Sequence, residues 1–395
     1  MRTKQETILK FEWVARQAQL GLDTIALQSA ELRSDRNNRP SIVTYSLNEA
    51  KKLPLLGGIQ RVVQQMEKEG HVFCRSEDNL TRPYCLDIAA IRKIYEYLGV
   101  KSYADIYGRE AIVCAHLNLK GGVGKTTSLA NIATGLVHVK PLIQKRLKIL
   151  VMDLDPQGAA TFILGVNPNE SRTAMRALLD NPSRTELLDR MYPTASDGLY
   201  VLPAATTDGF MAMSLPEVAQ QRNIPLSAIL EESVISKIRN DFDLILIDYG
   251  PHLEPSFLNI LASVDGFVIP VATDRVDLDS TFKFMRGLSN LLLSAVHDFN
   301  VDFNKFKVLL TRYDEGNKDH ERVWGLMCDL FASTMFASRM PMAKPFAASQ
   351  ARQGTVYDIP TKDYVGDGKS LNKARMNMDS VVLEFYGTYL GTRGQ

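Results

Sequence analysis

Residues 119–127 read Leu-Lys-Gly-Gly-Val-Gly-Lys-Thr-Thr. They match K-G-G-x-G-K-T-[ST] at every position and depart from G-x-x-x-x-G-K-[ST] where Leu119 replaces the first glycine. Gly121, Gly122, Val123 and Gly124 make a loop whose glycines can take positive φ and turn successive N–H groups inward, a cradle for a polyphosphate at the start of the next helix. Lys125 is placed to neutralise the β and γ phosphates, and the Thr126 hydroxyl to ligate Mg2+. Thr127 adds a phosphate contact, and ATP with Mg2+ is the expected ligand. A lysine at the mouth of the loop, Lys120, is not needed for any of this.

Three carboxylates follow at telling places. Asp248 closes the apolar run Phe242-Asp-Leu-Ile-Leu-Ile-Asp248 and suits the aspartate that holds the water shell of magnesium. Asp153 and Asp155 lie in Val-Met-Asp-Leu-Asp-Pro-Gln-Gly158. In-line attack of water on phosphorus needs an acceptor that orients the water; Asp155 takes that role and Asp153 stands beside the metal.

Such groups converge only if strands deliver them to one edge. Residues 111–117, 148–155, 242–248, 266–272 and 306–311 read as buried strands alternating with helical segments, the pattern of a mostly parallel sheet with helices on both faces. The carboxylates then share the carboxyl edge of the sheet with the loop between strand 111–117 and helix 128–136, where α/β sheets bind ligands. Adenine contacts usually come from a loop after a late strand, here near Thr311 to Asp314, a segment that carries no specific signal for them.

Composition sets limits on the rest. The 395 residues carry 46 Lys+Arg against 45 Asp+Glu, so nucleic-acid contact must come from local patches. Cys74, Cys85, Cys114 and Cys328 lack metal-ligand spacing and read as buried small hydrophobes of a reducing cytoplasm. No stretch approaches the ~20 apolar residues of a membrane span.

The chain divides into 1–40, 41–108 and 109–395. In the first part Ile8, Phe11, Ala15, Ala18, Leu22, Ile25, Ser29 and Leu32 follow heptad spacing, a seam for pairing with a second copy or for packing along the same chain. Residues 34–40 form a polar linker. In the second part Ser46 and Glu49 make a capping box, 54–58 a tight break, and 59–69 a helix ending at Gly70. Extended segments 71–75 and 82–86 and a helix from Ala89 to Leu98 complete the order of a winged helix-turn-helix. Gln60, Arg61, Gln64 and Gln65 would face base edges, with Arg75 and Arg82 on the wing.

The segments at 120–127, 153–158 and 244–252 resemble the three signatures of ParA-type partition ATPases, the deviant Walker A family. The long first helix and winged helix resemble its larger subgroup of plasmid and secondary-chromosome proteins. Tyr249 departs from the smaller or hydroxylated residue usual at its position. The resemblance implies that Lys120 reaches across an ATP-sandwich homodimer to the partner's phosphates. It further implies binding to nonspecific DNA, filaments on that DNA, release after hydrolysis stimulated by a ParB-type centromere-binding protein, and repression of its operon through operator DNA. Such a protein is cytoplasmic and associated with the nucleoid. Residues 339–375 hold seven Lys or Arg against three Asp, and Lys344, Arg352, Lys373 and Arg375 are the expected nonspecific contacts. The alternatives are a nucleotide-gated transcriptional regulator and a MinD-like ATPase on the membrane. Against the latter, residues 379–390 read as a helix packed on the core rather than a basic amphipathic anchor.

Overall fold

The computed structural model describes residues 12–14, 16–17, 19–20, 43–75, 83–252, 255–294 and 305–391. It divides into two compact units, Met1–Ser41 and Ile42–Gln395. In the first unit the described residues are helical, and Trp13, Val14 and Leu20 are exposed. All positions of the heptad seam lie outside the described residues, as does Arg82 on the wing.

The second unit begins with the helix-turn-helix. Ser46 caps helix α1, Leu47–Ala50, as a capping box: Glu49 N donates to Ser46 Oγ at 3.3 Å, and Ser46 N donates to Glu49 Oε2 at 2.8 Å. Helix α2, Ile59–Lys68, turns Ile59, Val63 and Met66 inward and leaves Gln60, Arg61, Gln64 and Gln65 exposed on the opposite face. Helix α3, Ile88–Tyr97, is capped by Asp87 and buries Ile88, Ile91, Ile94 and Tyr95 against the same small core. The wing is minimal: single antiparallel bridges join Arg75 to Tyr84 and Tyr45 to Leu86.

The remainder is a seven-stranded sheet in the order β3-β4-β2-β5-β1-β6-β7. Its strands are β1 Ile112–His116, β2 Ile149–Asp153, β3 Tyr192–Pro193, β4 Leu199–Leu202, β5 Leu244–Asp248, β6 Gly266–Ala272 and β7 Phe306–Thr311. Every pairing is parallel except β3 with β4. The long strands are apolar on both sides because helices cover both faces. Val113 and Ala115 of β1 join one core with Phe257, Ile260 and Leu278, while Ile112 and Cys114 join the other with Leu129, Ile132, Val381 and Val382.

On that second face lie helix α4, Lys125–His138, and the C-terminal helix α5, Gly368–Phe385. They approach so closely that a Cβ on Gly135 would stand 2.5 Å from Val382 Cγ2. Residues 381–390 bury Val381, Val382, Phe385, Tyr389 and Leu390 in the core, as the packed-helix expectation requires. Among the described residues no helix is long and apolar enough to cross a membrane.

Arg92 pins the helix-turn-helix to the sheet region. Its guanidinium donates to the carbonyls of Arg146 and Leu147 at 2.9 and 3.1 Å and to that of Asp197 at 3.1 Å, and its Nε pairs with the Asp197 carboxylate at 2.9 Å. Removing a half of such a network strands the acceptors. Arg92→Met should therefore lower stability by about 2–4 kcal/mol, read as a fall in urea midpoint with faster proteolysis near 98–110; a shift under ~0.5 kcal/mol would show that the two parts do not depend on this contact.

Candidate active site

The loop between β1 and α4 has the backbone its glycines predict. Gly122 and Gly124 take φ of 78° and 81°, and Gly124 is the residue from which α4 starts. Thr311, at the end of β7, steadies the loop from the side by donating Oγ1 to Val123 O at 2.7 Å. Thr126 Oγ1 donates to Asp248 Oδ2 at 2.7 Å, joining the loop to the carboxyl end of β5. Lys125 is buried within the cradle, with Nζ donating to Lys120 O at 3.1 Å. Burial pushes its ammonium below the ordinary lysine value, while Asp248 and Asp155 oppose that shift.

Parallel register places Asp153, Asp248 and His116 on one rung of β2, β5 and β1. The imidazole is fully buried and held neutral, its pKa pushed down to about 3 by desolvation. It therefore supplies no charge to the two carboxylates beside it. Burial drives Asp248 well upward, with neighbouring Asp153 adding to the effect, and drives Asp153 up to about 7. Asp248 Oδ1 is buried and has no hydrogen-bond partner among the described residues. An unpaired carboxylate oxygen next to a threonine hydroxyl and a second carboxylate fits a divalent cation, whose charge would relieve this desolvation.

Asp153 has both oxygens engaged. Oδ1 accepts Asp155 N–H at 3.1 Å, and Oδ2 accepts the N–H and hydroxyl of Thr161, each at 2.8 Å. It thereby fixes the turn that presents Asp155, whose Oδ1 accepts Gln157 N–H at 3.0 Å. Gly250 faces that carboxylate, and a Cβ there would come 3.1 Å from Asp155 Cγ. Tyr249 points away into the core and packs on Phe257 at 5.9 Å between centroids.

Lys120 lies outside the cradle. Its Nζ pairs with Asp277 Oδ1 at 3.2 Å, and its side chain is 34% exposed. Asp277 belongs to the first turn of helix α6, Arg275–Ser294. Thr127 Oγ1 accepts Gln350 Nε2 at 2.7 Å, and Arg312 Nη1 lies 3.5 Å from Gly122 O with its backbone at φ 54°. The sequence reading missed Asp277, Gln350 and Arg312 as neighbours of the loop. The first two come from distant helices with no local motif, and Arg312 sits in the segment assigned to adenine without any distinguishing pattern.

An AAA domain model matches residues 111–301 and a ParA helix turn helix domain model residues 19–107. Plasmid partition protein A of Escherichia coli is 32% identical over 364 residues, covering 90% of each chain. The chain belongs to the ParA-type partition ATPase family. The chromosome-partitioning ATPase Soj of Thermus thermophilus is 32% identical over 197 residues, which is 50% of this chain and 68% of that one. Among solved structures a partition protein superposes with a TM-score of 0.67 at 28% identity, over 84% of this ParA-family chain and 94% of its own.

The charge-rich segment 339–375 is less open than its composition implies. Arg339 is stacked 4.4 Å from the Tyr313 ring centroid and 4.6 Å from that of Trp324. Arg352 donates to Asp363 O at 3.1 Å. Arg375 donates to Val356 O at 2.7 Å, to Thr361 Oγ1 at 3.0 Å and to Ile359 O. The expectation for Arg375 as a DNA contact is thus corrected: its guanidinium holds the segment 356–361 against α5. Lys344, Lys362, Lys369 and Lys373 are exposed, the last pairing with Glu315 at 2.9 Å. On the wing, Arg75 pairs with Glu67 at 2.8 Å and lies over the Tyr84 ring at 3.8 Å, which ties the wing to α2.

Proposed function

We propose that this chain is an ATP-hydrolysing DNA partition protein of the cytoplasm, associated with the nucleoid. Its ATP form pairs face to face as a homodimer, binds DNA without regard to sequence and extends on it as filaments. Hydrolysis, stimulated by a ParB-type centromere-binding protein, releases it. The observation that carries the reading is Lys120: the lysine that a single-chain cradle does not need stands at the rim, its side chain 34% exposed and its Nζ paired with Asp277 of its own chain. Exchange for a phosphate across a dimer would give up one partly buried ion pair, the Asp277 side chain being 12% exposed, for a charge-assisted contact to phosphate.

Within one subunit the loop N–H groups and Lys125 bind the phosphates of ATP. Thr126 and Asp248 would hold Mg2+ with Asp153 behind them, and the metal supplies charge neutralisation at the β and γ oxygens. Asp155 accepts a hydrogen bond from the attacking water and aligns it, while Gly250 leaves room beside the carboxylate.

Two DNA modes follow from two surfaces. The exposed face of α2, with Gln60, Arg61 and Gln64, reads operator DNA in the major groove and represses the operon, with Arg75 positioning the wing. Lys344, Lys373 and Arg352 serve the ATP-dependent nonspecific mode. Substituting Arg61 and Gln64 together should weaken operator binding by about 1–3 kcal/mol per base contact, with random duplex little affected. Neutralising Lys344 and Lys373 should weaken ATP-dependent binding to every duplex and flatten the salt dependence by about 0.9 in log–log slope per contact. Salt titrations on both duplexes, with ATP and with ADP, check this. Equal losses on both duplexes from the α2 change would exclude sequence reading by that helix.

A further inference from the structure

The wing brings together two thiols that look unrelated in the sequence. The Arg75–Tyr84 bridge is antiparallel, and Cys85 N donates to Cys74 O at 2.9 Å, so the same register sets Cys74 directly across from Cys85. Alternation puts Phe73, Arg75, Tyr84 and Leu86 on the inner side, where Phe73 and Leu86 are buried and Arg75 and Tyr84 meet Glu67. The outer side carries Val72, Cys74 and Pro83, all exposed, with Cys85 half-buried. Here the expectation that these cysteines are buried small hydrophobes fails, because the hairpin turns both away from the core. Cys114, within β1, does fulfil it.

Directly opposed residues on antiparallel strands have Cα atoms about 4.5–5.5 Å apart, inside the roughly 4.4–6.8 Å that a disulfide spans. Both thiols are free, and Cys85 Sγ donates to Pro83 O at 4.0 Å.

We propose that Cys74 and Cys85 form a reversible dithiol–disulfide pair that sets how firmly the wing is held, and through it the grip of the helix-turn-helix on operator DNA. The oxidant is hydrogen peroxide. One thiolate attacks the peroxide oxygen, leaving a sulfenic acid and water; the second thiolate displaces the sulfenic oxygen as water, so that two thiols and one hydrogen peroxide give one disulfide and two waters. A dithiol reductant reverses it, its own two thiols becoming a disulfide. An exposed disulfide of this kind belongs to the labile, regulatory class rather than the structural one. The crosslink would tie segment 72–75 to segment 83–86 beside the Arg75–Glu67–Tyr84 contacts to α2, so these segments give up less freedom on binding DNA.

The operator effect rests on the DNA reading given above, and the test separates the two. The full-length protein is treated with hydrogen peroxide, remaining thiols are alkylated, and peptides are mapped by mass. A peptide pair joining Cys74 to Cys85, lighter by two hydrogens and lost on adding dithiothreitol, is the expected product; it should be absent from Cys74→Ser and Cys85→Ser. Both thiols fully alkylated after peroxide, separate overoxidation, or linkage between chains would overturn the pair. In the second arm, the crosslinked wild type should bind the duplex upstream of its operon several-fold tighter than the reduced protein, with Cys74→Ser unmoved by peroxide. A formed crosslink with unchanged affinity overturns the control of the wing. Absence of operator binding by the reduced wild type, with the crosslink mapped, counts against the operator reading and leaves the thiol pair standing.

Discussion

Lys125→Ala is expected to lose measurable nucleotide binding, whereas Asp155→Ala should keep ATP and lose turnover. The two residues stand in the same crevice but act on different species. Lys125 is the buried cation of the cradle, flanked by the carboxylates of Asp248 and Asp155, and its removal leaves those charges facing an anionic ligand. Charge-assisted contacts to phosphate contribute about 1.5–3 kcal/mol each, and with two phosphates served the loss in affinity should exceed roughly a hundredfold. Asp155 lies beyond the loop on the turn that Asp153 holds, so deleting its carboxylate leaves Thr126, Lys125 and the loop N–H groups in place. Loss of a group that orients the attacking water costs about 10²–10⁴ in rate. Calorimetric titration with ATP and single-turnover phosphate release separate the two outcomes. Matching nucleotide affinities for the two variants would refute this division of labour.

Lys120→Ala should behave differently again, with ATP affinity for the monomer close to wild type and ATP-dependent dimerisation lost. In a single chain Lys120 Nζ is bound to Asp277 rather than directed into the cradle, so its loss removes nothing that the isolated site needs. Across a dimer it would contribute one charge-assisted phosphate contact on each side, together about 3–6 kcal/mol, enough to dissolve a complex of micromolar affinity. Sedimentation with ATP measures the dimer and equilibrium titration the affinity. A Lys120→Ala protein that dimerises and turns over normally would remove the lysine from the chemistry.

The site was legible in the sequence to the extent that its groups are local. The loop, the strands before and after it, and Asp153, Asp155 and Asp248 at strand ends all belong to short continuous patterns, and buried parallel strands announce themselves as apolar runs. The capping box at Ser46 and the exposed polar face of α2 were equally plain, because capping chemistry and helical spacing act within a few residues. What escaped is non-local or short. Strand β4, Leu199–Leu202, and its antiparallel neighbour at Tyr192–Pro193 are too brief to carry a period. Arg92 reads as one more exposed cation of a helix until the fold delivers three carbonyls to it. Arg375 was misjudged for the converse reason: charge counting along a segment cannot tell a solvated guanidinium from one that closes a turn. Cys74 and Cys85 needed the register of the wing, which only the bridge between Arg75 and Tyr84 supplies.

The most direct test of the central claim is the binding of random-sequence duplex to the Asp155→Ala protein, followed by fluorescence anisotropy in ATP, in ADP and without nucleotide. Because hydrolysis is blocked while the cradle, Lys120 and the exposed lysines of 344–373 remain, DNA should be bound tightly and persistently in ATP and released in ADP or on removal of nucleotide. Equal binding in all three conditions would contradict an ATP-built DNA-binding assembly.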